Sequence, residues 1–345
     1  MRAARLHGVR DLRVEHVPDP EPGPGEVLLA VKAVGVCGSD LHHYLEGAIG
    51  SLRSHEPFVL GHEFAAEVVE GGTLPPGTLV AVDPNRACGA CEWCRAGHGN
   101  LCPHVRFAGV PPYPGALADY VTARPDELVP LPEGFDAATA ALLEPLGVAI
   151  HALDLARLKP MASVAILGAG SIGLLMLQVA RWCGAGSIIA VDPLDYRRRL
   201  ATEAGADAVA ASAAGVMEWT NGRGVDVVLE ATTSPDGPQH AAEAVRIGGR
   251  LVLVGIPTGD RFAFDASMVR RKGLTIKMSR RMGDVYARAI AMVQTGKVRF
   301  DPILTHRFDL SETARAFDLQ AEYADGVVKS VIYPAGVEEH GGRRS

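Results

Sequence analysis

Apolar positions along the chain follow two rhythms. Up to about residue 148 they come in short runs separated by Pro and Gly, at 27–34, 65–69, 78–82 and 117–122. Short apolar runs cut by turn residues predict strands, so this part reads as a mostly β domain with long loops. From Ser163 to Met278 the pattern changes. Apolar runs at 164–167, 188–191, 225–229, 251–254 and 274–276 alternate with helical stretches, which predicts βαβ units on a parallel sheet. Beyond Gly283 a helical segment leads to 327–333, expected to return to the first domain as its last strand. The expected division is 1–148, 149–285 and 286–345, an α/β chain that joins a mostly β domain to a doubly wound parallel-sheet domain. The polar tail 338–345 is expected to be mobile.

Length supports that division, since 345 residues suffice for two cores. About half the residues are apolar, as in a globular protein. A formal net charge of −6 gives no reason to expect nucleic acid or a membrane surface as partner. The N-terminus lacks the unbroken apolar core of a signal peptide. Gly, Pro and charges cut every apolar run, so no transmembrane helix is expected and a cytoplasmic protein is. Four of the six cysteines fall at 88, 91, 94 and 102, the others at 37 and 183. Clustered cysteines in a long chain of this kind point to metal rather than to a disulfide scaffold. Cys183, Trp182 and Met176 read as helix packing.

The segment Val164-Ala-Ile-Leu-Gly168-Ala-Gly170-Ser-Ile-Gly173 puts G-x-G-x-x-G after a buried strand and before an apolar helix at 174–182. Gly168 permits the tight turn, Gly170 lets backbone approach a pyrophosphate, and Gly173 lets helix pack on strand. The helix N-terminus adds N–H donors and positive potential. The next strand ends in Asp192, where a carboxylate accepts hydrogen bonds from both ribose hydroxyls and repels a 2′-phosphate. NAD is therefore the expected cofactor, although Arg197 and Arg198 are of the type that holds such a phosphate. The competing reading is a doubly wound domain that binds no nucleotide.

Cys88, Cys91, Cys94 and Cys102 form the closed four-thiolate set of a structural zinc; the usual iron–sulfur spacings differ from theirs. A second set is dispersed: Cys37 in a loop after a strand, Gly61-His62-Glu63, and Glu144 at the expected domain junction. One thiolate, one imidazole and a carboxylate leave a position open on zinc for a substrate oxygen. Taken singly, each of these residues has a packing or surface role as its ordinary explanation.

In order and approximate spacing, Cys37-Gly-Ser-Asp, Gly61-His-Glu, the four-cysteine loop, Gly168–Gly173 and Asp192 resemble the zinc-containing medium-chain dehydrogenase/reductase family over essentially the whole chain. Cys37-Gly-Ser-Asp-Leu-His, Pro111-Pro-Tyr-Pro-Gly-Ala-Leu and Glu144-Pro-Leu-Gly-Val-Ala-Ile-His are most similar to sorbitol and related polyol dehydrogenases. The resemblance implies a GroES-like catalytic domain built from both chain ends, a Rossmann domain between them, and a homotetramer or homodimer. It implies that Cys37, His62 and Glu63 hold a catalytic zinc, with Glu144 binding its water or entering the coordination sphere. It leaves open whether Glu63 or Glu144 is the direct third ligand. Ser39 and His42 match the family's proton-relay positions. Ile172, Asp192 and Arg197 fall where the family contacts NAD, and Gly168, Gly170, Gly173, Gly255 and Ile256 are expected cofactor contacts beside them. Arg281 falls near a polyol-contacting arginine, and Tyr44 is expected to contact substrate with it. Chain length at 69–78, the pair His43-Tyr44 and the stretch 279–282 depart from the family pattern.

The expected activity is therefore oxidation of a secondary alcohol in a polyol-type small molecule to a ketone, by hydride transfer to NAD, with one catalytic and one structural zinc per subunit. The alternatives are a β-hydroxy amino acid, cyclitol or small diol on the same scaffold, and, in another class, a catalytically silent nucleotide-binding protein.

Overall fold

The computed structural model describes residues 1–53 and 57–337; the tail at 338–345 lies outside them. Contacts divide the chain into two compact units, Met1–Arg86 with Arg106–Leu142 and Leu304–Ser345, and Ala87–Val105 with Leu143–Ile303.

The first unit is built on a sheet of seven strands among the described residues. The strand Val27–Gly35 lies at its centre, paired antiparallel with Glu63–Glu70, Tyr120–Ala123 and Lys329–Tyr333. Its residues alternate between buried and half-buried up to Lys32 and are then buried from Ala33 through Gly35, the pattern of a strand covered on one face that enters the core at one end. Leu29, Val31, Val34, Phe64, Val68, Val80, Phe317 and Ile332 fill that core. Lys329–Tyr333 thus joins the two chain ends in one sheet, and Leu304–Asp309 pairs parallel beside it.

The second unit carries six parallel strands in the order Ala208–Ala210, Ser187–Val191, Ser163–Leu167, Val225–Glu230, Val245–Leu253 and Thr275–Met278. The order reverses between Ser163–Leu167 and its neighbour Val225–Glu230, the switch point at which such sheets take a nucleotide at their carboxyl ends. The helix Ser171–Trp182 buries Leu174, Leu175, Leu177 and Val179.

The units differ from the expected 1–148, 149–285 and 286–345 at two places, each with a physical cause. The cysteine loop groups with the second unit, where Asn100 Nδ2 donates to the Arg280 carbonyl at 3.0 Å. The stretch 286–303 also stays there: its helix Tyr286–Gln294 packs on Leu143–Ala156, and Gln178 bonds both backbone groups of Arg299. Two smaller expectations are corrected. Trp182 is 52% exposed because burial along its helix stops at Ala180, and Cys183 is exposed too, whereas Met176 is fully buried. The run Ala137–Ala156 is long and apolar enough to cross a membrane, but most of it is buried within the protein and it contains Glu144 and Asp154.

Candidate metal centre and cofactor loop

At the carboxyl end of Val27–Gly35 the chain turns into the helix Gly38–Glu46, with Cys37 as its extended N-cap residue. A helix N-terminus favours negative charge, so this position suits a thiolate. The Asp40 side chain accepts from the Cys37 N–H at 3.1 Å and the Gly61 N–H at 3.3 Å, tying the cysteine turn to the turn before His62. Gly61 has φ 95°, a left-handed conformation that glycine adopts without strain. The donor atoms of Cys37, His62 and Glu63 lie within 4.8 Å of one another.

Charged groups surround this trio. Asp40, 1% exposed, has an oxygen 3.4 Å from His62 Nδ1, and Ser39 Oγ lies 3.5 Å from His62 Nε2. Burial pushes the His62 pKa down, but Asp40 and the Cys37 sulfur outweigh it and hold that pKa well above the usual value. A carboxylate at Nδ1 orients the ring so that Nε2 faces the other ligand side, the usual second layer of a metal-binding histidine. Glu63 lies directly across from Gly35 in the strand register, and a Cβ on Gly35 would run into its carboxylate. Lys329, 2% exposed, donates from Nζ to both Glu63 oxygens at 2.8 Å and to the Val36 carbonyl at 2.9 Å.

His42 lies one turn after Ser39, and its Nδ1 is 2.8 Å from Glu46 Oε1. His43 is buried, burial holds its pKa below the usual value, and its Nε2 has no hydrogen-bond partner among the described residues. Tyr44 corrects the expectation of a substrate contact. It is 1% exposed, donates its hydroxyl to Asp318 at 2.8 Å and meets Phe317 edge-on. Burial and Asp318 push its pKa up to about 12. Glu144 is buried in the first turn of Leu143–Ala156 and belongs to the second unit.

The four cysteines at 88, 91, 94 and 102 also converge within 4.8 Å. Their sulfurs stand 3.4 Å (Cys91–Cys94), 3.9 Å (Cys88–Cys94) and 3.9 Å (Cys91–Cys102) apart. A tetrahedron with Zn–S bonds of about 2.3 Å has edges of about 3.8 Å, so the cage fits that ion. N–H groups of Ala90 and Cys91 draw the Cys88 pKa down to about 6, whereas burial and Cys91 push that of Cys94 up to about 12. Such crowded thiols ionise unequally alone, and a divalent cation removes the conflict. At the first set, a thiolate, an Nε2-presenting imidazole and a carboxylate also suit zinc.

In the second unit Gly168 has φ 89°, and a Cβ on Gly173 would run into the Gly168 carbonyl. Both glycines are therefore required by the turn. Gly170 is the N-cap of Ser171–Trp182, and Ile172 lies in that helix's first turn. Asp192 follows Ser187–Val191 and is 2% exposed. Its oxygens accept from the Ala169 N–H at 2.9 Å and the Leu194 N–H at 3.0 Å, with Arg197 Nη1 at 3.6 Å. Arg198 bonds the Asp192 carbonyl and pairs with Asp195. Gly255 fits tightly against the Thr232 backbone and donates to the Glu230 carbonyl at 3.0 Å; Ile256 follows it, half-buried. Arg281 has φ 55° just beyond Thr275–Met278 and is half-buried.

Asp40, Lys329 and Glu230 escaped the sequence reading. Asp40 stood inside a quoted motif. Lys329 was legible as a lone cation in the apolar strand 327–333, where a buried charge requires a partner. Glu230 ends a buried strand beside the switch point; burial raises its pKa, against the Thr232 hydroxyl and N–H that bind it.

A family model described as alcohol dehydrogenase GroES-like domain matches residues 23–133, and one described as zinc-binding dehydrogenase matches 171–295. The chain is 35% identical to the sorbitol dehydrogenase of Bacillus subtilis over 97% of each chain. It belongs to the zinc-containing medium-chain dehydrogenase/reductase family. It is also 38% identical to a protein of Aspergillus clavatus named probable D-xylulose reductase A, over 90% of this chain and 91% of that one. A zinc-binding dehydrogenase of Sinorhizobium meliloti, solved with NADP, matches with a TM-score of 0.87 at 34% identity, over 96% of this chain and 99% of that one. The family assignment makes the chain an oxidoreductase of the alcohol dehydrogenase kind, with a GroES-like and a Rossmann domain.

Proposed function

We propose that this dehydrogenase oxidises a secondary alcohol of a polyhydroxylated small molecule to a ketone with NAD, using a catalytic zinc at Cys37, His62 and Glu63 and a structural zinc at the four cysteines. The observation that carries the reading is the convergence of Cys37, His62 and Glu63 within 4.8 Å, with Asp40 behind the imidazole. Zinc held there supplies the Lewis acidity that lets a substrate hydroxyl ionise near neutral pH, and NAD supplies the hydride acceptor. The protein's residues do the rest. Cys37 and His62 fix the metal's place, Glu63 and Glu144 are the candidate carboxylate donors, and Asp40 keeps His62 Nε2 directed at the ligand position. Ser39 Oγ takes up the substrate proton, and His42, three residues on along one helical face, passes it outward while Glu46 holds its Nδ1.

Gly168, Gly170, Ile172, Gly173, Gly255 and Ile256 are the proposed cofactor contacts in the second unit. Asp192 favours ribose hydroxyls over a 2′-phosphate. Arg197 opposes that preference, and the NADP carried by the Sinorhizobium relative makes it the point to measure. Arg281 remains the proposed substrate contact and Tyr44 is withdrawn. The polyol class is supported by the relatives named for sorbitol and D-xylulose. Location in the cytoplasm is supported by six free cysteines. A homotetramer or homodimer is supported by the strand Thr275–Met278, which among the described residues pairs on one side only and whose Met278 is 54% exposed.

The test is kcat/KM with NAD for sorbitol, xylitol, a cyclitol, 2,3-butanediol, threonine and 2-propanol. A polyol or cyclitol should lead. A site rich in polar groups discriminates against bare chains because each unpaired group costs about 1–3 kcal/mol. Faster turnover of 2-propanol or threonine than of every polyhydroxylated compound overturns the substrate class.

A further inference from the structure

The three strands at the heart of the first unit bring together a group that the proposed chemistry does not use. Val27–Gly35 is flanked by Glu63–Glu70 on one side and Lys329–Tyr333 on the other. Gly35 pairs with Glu63 in one register and with Val331 in the other. Because Gly35 has no side chain, the Glu63 carboxylate can lie against it, where the Lys329 ammonium bonds both of its oxygens. The ammonium also donates to the Val36 carbonyl, one residue before Cys37. Gln320 Nε2 donates to the same carbonyl at 2.9 Å.

From this geometry we propose that Lys329 is a positioning residue that competes with the metal for Glu63 and so makes that carboxylate a releasable ligand, while it pins the turn that carries Cys37. The inference rests on the zinc reading of Cys37, His62 and Glu63. Both oxygens of Glu63 are engaged by one buried ammonium, so donation to a metal means giving up or weakening a charge-assisted hydrogen bond. The ammonium also adds a positive charge beside the ion, and both effects loosen the bond to Glu63. Among the described residues no ammonium bonds the Cys37 sulfur or His62 Nε2, and Asp40 supports the imidazole from the Nδ1 side. The site then has two held donors and one exchangeable donor, which leaves room for substrate oxygen without dismantling the trio.

The experiment follows metal binding, not turnover. Cobalt(II) is loaded into the whole enzyme, and the visible bands and rate of release to a chelator are recorded for the Cys37 site, identified by the signal that Cys37→Ser removes. In Lys329→Met, Glu63 is freed for the metal, so release should slow about tenfold and the cobalt bands should shift. In Lys329→Arg, the guanidinium fork grips both oxygens more firmly, so release should speed at least threefold with the charge pair kept. Unchanged bands and release in Lys329→Met overturn the proposal, as does faster release. If Lys329→Met does not fold, Lys329→Arg decides alone, and an unchanged or slower rate overturns the proposal. A wild-type enzyme that takes up no cobalt at Cys37 instead removes the zinc reading itself, a separate failure seen before either variant is compared.

Discussion

The cysteine loop and the dispersed Cys37–His62–Glu63 set offer donor atoms suited to the same ion, yet they are built in opposite ways. The loop takes all four sulfurs from one short segment, leaves Cys88 exposed, and supports its sulfurs with nearby N–H groups of its own backbone. The dispersed set draws on two turns of a central sheet, buries His62 and Glu63, and is backed by Asp40 from the helix that Cys37 caps and by Lys329 from a neighbouring strand. Four saturating thiolates leave a cation no open position, so the loop can stiffen the chain but not turn over substrate. Three donors of three kinds, one of them shared with an ammonium, leave a position open. The set proposed for chemistry thus has a charged second layer, and the set proposed as structural has a backbone one.

Breaking the two sets should give opposite signatures. His62→Ala should lower kcat about 1,000-fold or more, since several kcal/mol of transition-state stabilisation rest on the open site, and should leave one zinc per subunit by metal analysis. Cys94→Ser should also leave one zinc, lower Tm by roughly 5–10 °C and expose 87–105 to proteolysis, with a much smaller effect on the chemical step. Loss of turnover in Cys94→Ser as deep as in His62→Ala would show that the loop is not merely structural. One zinc in the wild type would remove the double assignment.

At the cofactor loop, too, one carboxylate serves two purposes. Asp192 accepts the Ala169 N–H and so holds the glycine turn, besides favouring ribose hydroxyls. Asp192→Ala removes both roles, whereas Asp192→Asn keeps an acceptor and removes the charge. The ratio of kcat/KM for NAD over NADP should fall at least about tenfold in Asp192→Asn. A ratio unchanged in Asp192→Asn but lowered in Asp192→Ala would assign the preference to turn geometry rather than charge.

The βαβ alternation from Ser163 to Met278 was readable because buried parallel strands are continuous apolar runs of a length that helices rarely copy. The cysteine loop was readable because its ligands are local. The dispersed set was readable only through its motifs, for nothing in the spacing of Cys37 and His62 reveals that Asp40 ties their turns together. Tyr44 was misplaced because an amphipathic helix offers an aromatic residue two faces, and the chain's own Phe317 and Asp318, far off in sequence, decide which one it takes. Lys329 was missed for the same reason: its partner Glu63 lies across two strand pairings.

The smallest expected effect concerns a carboxylate that belongs to neither metal set. Asp226 accepts from the Ser163 N–H at 2.8 Å, the Ser163 hydroxyl at 2.7 Å, Arg246 Nε at 2.6 Å and Arg223 at 2.9 Å. Burial pushes its pKa up, but the Ser163 and arginine bonds outweigh it and hold the carboxyl well below the usual carboxylate range. A depressed folded pKa stabilises the protein above the unfolded value of about 3.9 and loses that stabilisation as pH falls below it. At pH 7, Asp226→Asn should therefore be less stable by about 1–2 kcal/mol, a few degrees in Tm. The gap to wild type should stay level from pH 7 to about pH 5 and close as the medium becomes more acid. Acid also unloads both metal sets, but it does so alike in the two proteins, so the difference in Tm isolates Asp226. A gap that stays constant down to pH 3 would show that Asp226 contributes by hydrogen-bond geometry and not by its charge.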